Sequence, residues 1–333
     1  MTNISKKLKL YLYASLSLIA LCVIFGTLSY LFSFDSSIGY FDTSALSVIF
    51  FILCALTVIG ALAAFFIIPR NTIDGASPNA LPAVLSAMPL CAICLALGIF
   101  FGAAGILNQR GSFFADYFPT YIGSNKYLLL AGGILLLISA IYFALLGSDR
   151  ARTSELRALP GFAVPMACVL LVAITYFDLF VPMNSPTKMG FHFSMLAFAA
   201  FSVCELRVPL KKTCPRAYLS LGVITALCSA TASIPQIAAF LGNKTTEPIA
   251  PLYALLSLCV FVYTTARLCV FANSQSLVEK ESAKETSEDT NSAEKTNEAL
   301  RNSDPLAETD APAPEKDQQN SDNETENHEN VSE

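Results

Sequence analysis

Eight stretches of about 20 or more mainly apolar residues, separated by short polar breaks, fill the first 272 residues of this chain. They run approximately over 9–33, 42–69, 80–107, 126–147, 160–182, 189–208, 216–241 and 250–272. At a rise of about 1.5 Å per residue, each is long enough to cross a hydrocarbon layer of about 30 Å as a helix. The breaks carry helix-stop and turn chemistry: Asp35-Ser36-Ser37, Pro69-Arg70-Asn71, Gly147-Ser148-Asp149, Asn184-Ser185-Pro186 and Gly242-Asn243-Lys244. The pattern predicts an all-α fold, a polytopic transmembrane helical bundle of about eight spans. A hydrophobic content of 54% with only 14% charged residues argues against a soluble enzyme, a disulfide-framed secreted domain and a nucleic-acid-binding domain.

The net charge of −5 describes neither part of the chain. Residues 273–333 hold 17 acidic and 5 basic residues, net −12, leaving 9 acidic and 16 basic residues, net +7, in residues 1–272. The chain therefore divides into a transmembrane helical domain, 1–272, and an acidic tail, 273–333. The tail is Glu, Ser, Asn, Thr, Lys and Asp with an Ala311-Pro312-Ala313-Pro314 run, too polar to offset the entropy of ordering, and is expected to be disordered. It reads as a solvated spacer or as a docking element for a cytoplasmic protein, and its charge disfavours an anionic membrane surface.

Orientation follows from Lys and Arg in the short connections. The side of the N-terminus holds twelve: Lys6, Lys7, Lys9, Arg70, Arg150, Arg152, Arg157, Arg207, Lys211, Lys212, Arg216 and Arg267. The other side holds four, Arg110, Lys126, Lys188 and Lys244. Both termini are thus expected in the cytoplasm. The first span follows three lysines, but its apolar part exceeds a signal-peptide h-region of about 7–15 residues, which predicts an uncleaved anchor.

The sequence offers little catalytic chemistry. Its two histidines, His192 and His328, exclude a multi-histidine zinc site, and neither GxxxxGK[ST] nor GxSxG occurs. No catalytic residue, cofactor or metal site is assigned. Nine of the ten cysteines fall within the spans and the tenth, Cys214, in a connection, so structural disulfides are not expected. Cys91 and Cys94 form a CxxC that reads more simply as small core residues than as a redox pair.

Ionisable groups inside spans are rare and commonly face the bundle interior or water. Asp178 lies four residues before Pro182, and His192 six residues after Pro186 on the returning helix, which puts the two at similar depth. Lys188 lies four residues before His192, on the same helix face. Asn184 is placed to cap either helix end. In the seventh span Ser233 precedes Pro235 and Gln236, and the proline frees a carbonyl one turn earlier. Asp178, Asn184, Lys188, His192, Ser233 and Gln236 are accordingly candidates to line an outward-facing polar pocket. The simpler alternative is that they end helices near the headgroups.

At the other face Glu205 and Arg207 end the sixth span just before Pro209. Two residues apart on a helix, they cannot face each other, so Glu205 needs another partner. Lys211, Lys212 and Arg216 are the obvious candidates, while Arg267 is expected to snorkel. Gly98 and Gly102, with Gly105 beyond, and Gly60 with Ala64 predict close helix contacts within the chain. The connection 108–125 carries Phe113, Phe114, Tyr117, Phe118 and Tyr121, an interfacial belt or a lid over the pocket.

Met183-Asn184-Ser185-Pro186, with Lys188 and Phe191-His192-Phe193, then Glu205-Leu206-Arg207 and Pro215-Arg216-Ala217-Tyr218, resembles a pattern in uncharacterised multi-pass membrane proteins of anaerobic Firmicutes. The resemblance covers the fifth to seventh spans. It implies a bacterial plasma membrane and carries no functional residue. The expected partners are the lipid bilayer, a small solute and a protein docking on the tail, with no nucleic acid. Two function classes follow: a small-solute transporter or membrane subunit of a transport system, and a non-catalytic sensor or scaffold that uses the tail. An enzyme is not expected.

Overall fold

The computed structural model describes residues 3–35, 40–42, 44–67, 81–106, 122–146, 158–176, 185–207, 214–243 and 251–273. All belong to one compact unit, Met1–Ala283, and the acidic tail lies outside them. Eight helices carry these residues: α1 Asn3–Phe32, α2 Ala45–Ile67, α3 Leu81–Ile106, α4 Ile122–Leu145, α5 Ala158–Tyr176, α6 Pro186–Leu206, α7 Pro215–Leu241 and α8 Pro251–Asn273. Each is long and apolar enough to cross a membrane. The chain is a multi-pass integral membrane protein built as an all-α bundle.

Local chemistry accounts for the ends. At the start of α6, Ser185 is extended and its hydroxyl accepts from the Lys188 backbone N–H at 3.2 Å, with Pro186 in the first turn where its missing N–H costs nothing. The observed cap of α6 is therefore Ser185. At the far end of α7, Gly242 follows the last turn and Asn243 takes a positive φ of 53°, a conformation Asn tolerates better than most residues. In α5 the helix is interrupted at Phe162, between Ala158–Gly161 and Ala163–Tyr176, where Pro160 and Pro165 remove backbone donors.

One element departs from the expected all-helical pattern. Phe34–Asp35 pairs antiparallel with Tyr40–Phe41 beyond the end of α1. Tyr30, Phe34 and Phe41 form an aromatic cluster there, Phe41 edge-on to the other two, with Phe51 of α2 beside Phe41.

Consecutive helices pack together as α1–α2, α3–α4, α4–α5, α5–α6 and α6–α7, and α7 also packs against α1 and α2. The aromatic contacts place α8 against α4, α6 and α7: Tyr263 meets Phe143 and Phe198, Tyr253 meets Phe191, and Phe271 meets Tyr218. The share of each span buried inside the bundle is 67% for α7 and 61% for α8, against 22% for α2. Thus α7 and α8 form the interior, while α2 turns residues such as Ile52, Ile59 and Phe66 outward, as a lipid-facing helix must.

The tightest helix pair is α3–α4. A Cβ on Gly133 would lie 2.7 Å from the Gly102 nitrogen and 2.9 Å from the Gly98 carbonyl, so the glycine motif of α3 meets a glycine of α4 within the chain. The second expected motif works differently. A Cβ on Gly60 would meet nothing, and the α2 contact is made by Ala61 and Ala64, with the Gly60 and Ala61 carbonyls accepting from Tyr11 of α1.

Candidate functional site

Polar side chains recur along the interior faces of α6, α7 and α8, which an apolar bundle would fill with aliphatics. Near the α6 start, Lys188 is 5% exposed and its ammonium donates to the Tyr176 carbonyl at the end of α5, at 3.0 Å. One turn on, His192 Nε2 lies 2.8 Å from the Thr175 hydroxyl. The Thr175 oxygen also lies 2.9 Å from the Leu171 carbonyl. Lys188 and His192 therefore share one face of α6, as their spacing predicted, and that face meets the end of α5.

Gln236 of α7 reaches the same end of α6 from the other side. Its Nε2 donates to the Thr187 carbonyl at 3.1 Å. Ser233, fully buried, donates to the Ala230 carbonyl within its own helix at 3.2 Å. Lys188, His192 and Gln236 are thus brought to adjoining turns of α6, each buried and engaged. Asp178, Asn184 and the 108–121 part of the aromatic connection lie outside the described residues.

Pro235 cannot donate to the Thr231 carbonyl, so α7 is weakened at this level. Its ring packs against Gly26 of α1, where a Cβ would come within 3.3 Å of the proline Cγ.

Deeper in the bundle Ser194 of α6 and Ser229 of α7 share a hydrogen bond of 2.9 Å, both wholly buried. Ser202 and Thr225, also buried, bond back to Ala199 and Leu221 in their own helices. On α8, Ser257 and Thr264 are 0% exposed and have no hydrogen-bond partner among the described residues. Seven residues apart, they share one face of α8. That face lies toward α6 and α7, since Tyr253 one turn before contacts Phe191 and Leu268 one turn after fills the space at Gly222.

The row ends on a buried ion pair. Arg267 of α8 pairs with Glu205 of α6, their side chains 5% and 6% exposed. Tyr263, one turn before Arg267, donates to Glu205 Oε1 at 2.7 Å and accepts from Arg267 Nε at 3.2 Å. The guanidinium also lies 5.4 Å from the Tyr263 ring centre. Phe143 and Phe198 flank the tyrosine and exclude water.

This arrangement corrects one expectation. Arg267 does not snorkel; it turns inward because a buried carboxylate offers a partner at the right depth. Among the described residues Glu205 is partnered by Arg267 and Tyr263, and Lys211 and Lys212 of the basic cluster after Pro209 lie outside them. Arg207 points away from Glu205, as expected, and donates to Cys214 Sγ at 3.3 Å. The missed signal was the Tyr263/Arg267 spacing of four, which puts a phenol and a guanidinium on one face of an apolar helix.

Cys91 donates to the Ala140 carbonyl at 3.3 Å, and Cys94 lines a small apolar cavity with Leu136, Phe143, Cys168 and Met195. Among the described residues no three His, Cys, Asp or Glu side chains are grouped to hold a metal ion. Comparison with known proteins finds no matching family model, curated protein or solved structure.

Proposed function

We propose that this protein is a carrier for a small polar solute, or the membrane subunit of such a system, in a bacterial plasma membrane with both termini in the cytoplasm. The observation that carries the reading is the row of buried polar groups on α6, α7 and α8, which runs from Gln236 and Lys188 through the Ser194–Ser229 pair to Glu205 and Arg267 and includes two hydroxyls without partners. Ionisable groups inside membrane helices, such as Lys188, His192, Glu205 and Arg267 here, are rare and costly and commonly mark substrate or ion paths. Pro235 supports it further, since it weakens α7 in the half of the helix that carries Ser233 and Gln236, and weakened helices are where carriers bind and bend. Hydroxyl and amide side chains both donate and accept, which suits a neutral or zwitterionic solute better than a bare ion.

Thermal unfolding of the purified full-length protein against libraries of small polar metabolites tests this. A true ligand at about a hundredfold its Kd should stabilise by about 2.7 kcal/mol. The shift should vanish in Ser229→Val and persist in Tyr127→Ala, an exposed α4 position. A shift that survives Ser229→Val places binding elsewhere. The proposed orientation predicts that exposed Cys214 reacts with impermeant thiol reagents only from the cytoplasmic side.

A further inference from the structure

Away from the polar row, two cysteines meet where α1 packs on α2. Cys22 of α1 is 0% exposed, and its sulfur lies 3.5 Å from the Thr57 hydroxyl of α2. Cys54 precedes Thr57 by three residues and so shares its helix face, and its thiol meets that of Cys22 across the contact. The neighbouring contacts fix the same antiparallel register. One turn after Cys22 a Cβ on Gly26 would come 2.9 Å from the ring of Phe50, which stands one turn before Cys54. Toward the other end Tyr11 donates to the Gly60 and Ala61 carbonyls. Two free thiols from neighbouring helices are thus held face to face, the arrangement from which a disulfide forms. The Cys91–Cys94 motif offers no such pairing, since Cys91 donates to the Ala140 carbonyl and Cys94 turns into the apolar cavity.

Depth decides what can react with this pair. Cys54 stands at the middle of the span Ala45–Ala64, about 15 Å from either end at about 1.5 Å per residue. Charged, water-borne thiols and disulfides are excluded from an apolar layer at that depth. Cys54 is half-buried, and Phe51, Ile52 and Leu56 around it on α2 are each at least 50% exposed, so its thiol opens on the lipid-facing side while Cys22 lies behind it. Joining two thiols releases two electrons and two protons. A charge left behind in hydrocarbon is costly, which favours an acceptor that takes both and itself dissolves in lipid. A quinone is such an acceptor.

We propose that Cys22 and Cys54 form an oxidisable dithiol whose oxidant is a membrane-soluble quinone. Both S–H bonds break, one S–S bond forms between Cys22 and Cys54, and two electrons with both protons pass to the quinone, which leaves as the hydroquinone. Reactants and products are all neutral. The new bond ties α1 to α2 one turn from Gly26, against which Pro235 of α7 packs, so oxidation acts on α7 at its weakened turn. The dithiol is separate from the polar row and holds whether or not the protein carries a solute.

The test reconstitutes the reduced full-length protein in phosphatidylcholine vesicles and incubates it without oxygen, one sample with decylubiquinone and a parallel one with glutathione disulfide. Acid denaturation, alkylation of the remaining thiols and peptide mass spectrometry then report the state of each cysteine. The quinone should yield the linked Cys22–Cys54 peptide with one hydroquinone per bond, and glutathione disulfide should leave both thiols free. Buried Cys94 and Cys168 should stay reduced in both samples. Cys54→Ser should lose the linked peptide and the hydroquinone together. Should that variant fail to fold, the comparison of the two oxidants on the unaltered chain decides alone. Free thiols at Cys22 and Cys54 after quinone treatment overturn the dithiol, as does a bond from Cys54 to Cys228, the next thiol on α7. A quinone bonded to Cys54 with Cys22 left free overturns it too, and equal oxidation by glutathione disulfide overturns the quinone as its oxidant.

Discussion

Glu205, Arg267 and Tyr263 are the residues at which this fold commits most to a single arrangement. Each alone is expensive in an apolar interior, and together they satisfy one another. Glu205→Ala strands the guanidinium, and thermal unfolding in detergent should show a loss of about 3–5 kcal/mol. Tyr263→Phe removes one hydrogen bond to a charged group and should cost about 1.5–3 kcal/mol. Replacing both charges together, Glu205→Leu with Arg267→Met, should recover most of the first loss; a double variant as unstable as the sum of the singles would refute the coupling. That Glu205 needed a partner was legible from a carboxylate standing in an apolar helix with Arg207 on another face. Which partner was not, because 58 residues separate Glu205 from Tyr263 and no local pattern spans that distance. The same holds for Lys188 and Gln236, whose partners are backbone carbonyls that every residue carries.

Among the elements, the eight helices and the breaks between them were open to a reading of apolar runs, since span length is set by the membrane and the breaks by residues that stop helices. The strands Phe34–Asp35 and Tyr40–Phe41 were not, being too short for any alternation to register. The α3–α4 contact shows which motif positions make it. A Cβ on Gly98 would lie 2.9 Å from Leu137 Cγ and 3.1 Å from the Gly133 carbonyl, and one on Gly133 of α4 would lie 2.7 Å from the Gly102 nitrogen, whereas a Cβ on Gly102 would meet nothing within 4 Å. Gly133→Ala should therefore destabilise the bundle by about 1–3 kcal/mol through backbone displacement. Gly102→Ala should be neutral or stabilising by up to about 1 kcal/mol through helix propensity. Equal effects in a denaturant or thermal series would contradict this placement. At the α6–α7 contact, a double-mutant cycle of Ser194→Ala and Ser229→Ala should give a coupling of about 0.6 kcal/mol, the usual strength of a hydrogen bond between membrane helices. Zero coupling would mean the two hydroxyls do not meet.

Seen whole, the molecule follows the economy of a membrane bundle. Its most apolar helix, α2, faces outward, and the more polar α7 and α8 lie deepest, so their polar groups are drawn into the interior. The amino-acid sequence announced the individual polar residues near one end of α5, α6 and α7. Their continuation through Ser194, Ser229, Ser257 and Thr264 went unseen, because serine and threonine are ordinary in membrane helices until burial shows which of them share a face. A carrier needs that row to be a route for a solute. The most direct measurement is uptake of the stabilising ligand into proteoliposomes that hold the full-length protein. It should accumulate inside with Ser229→Val abolishing entry, whereas a ligand that binds with the same dependence on Ser229 yet never crosses would make this a sensor and contradict the carrier.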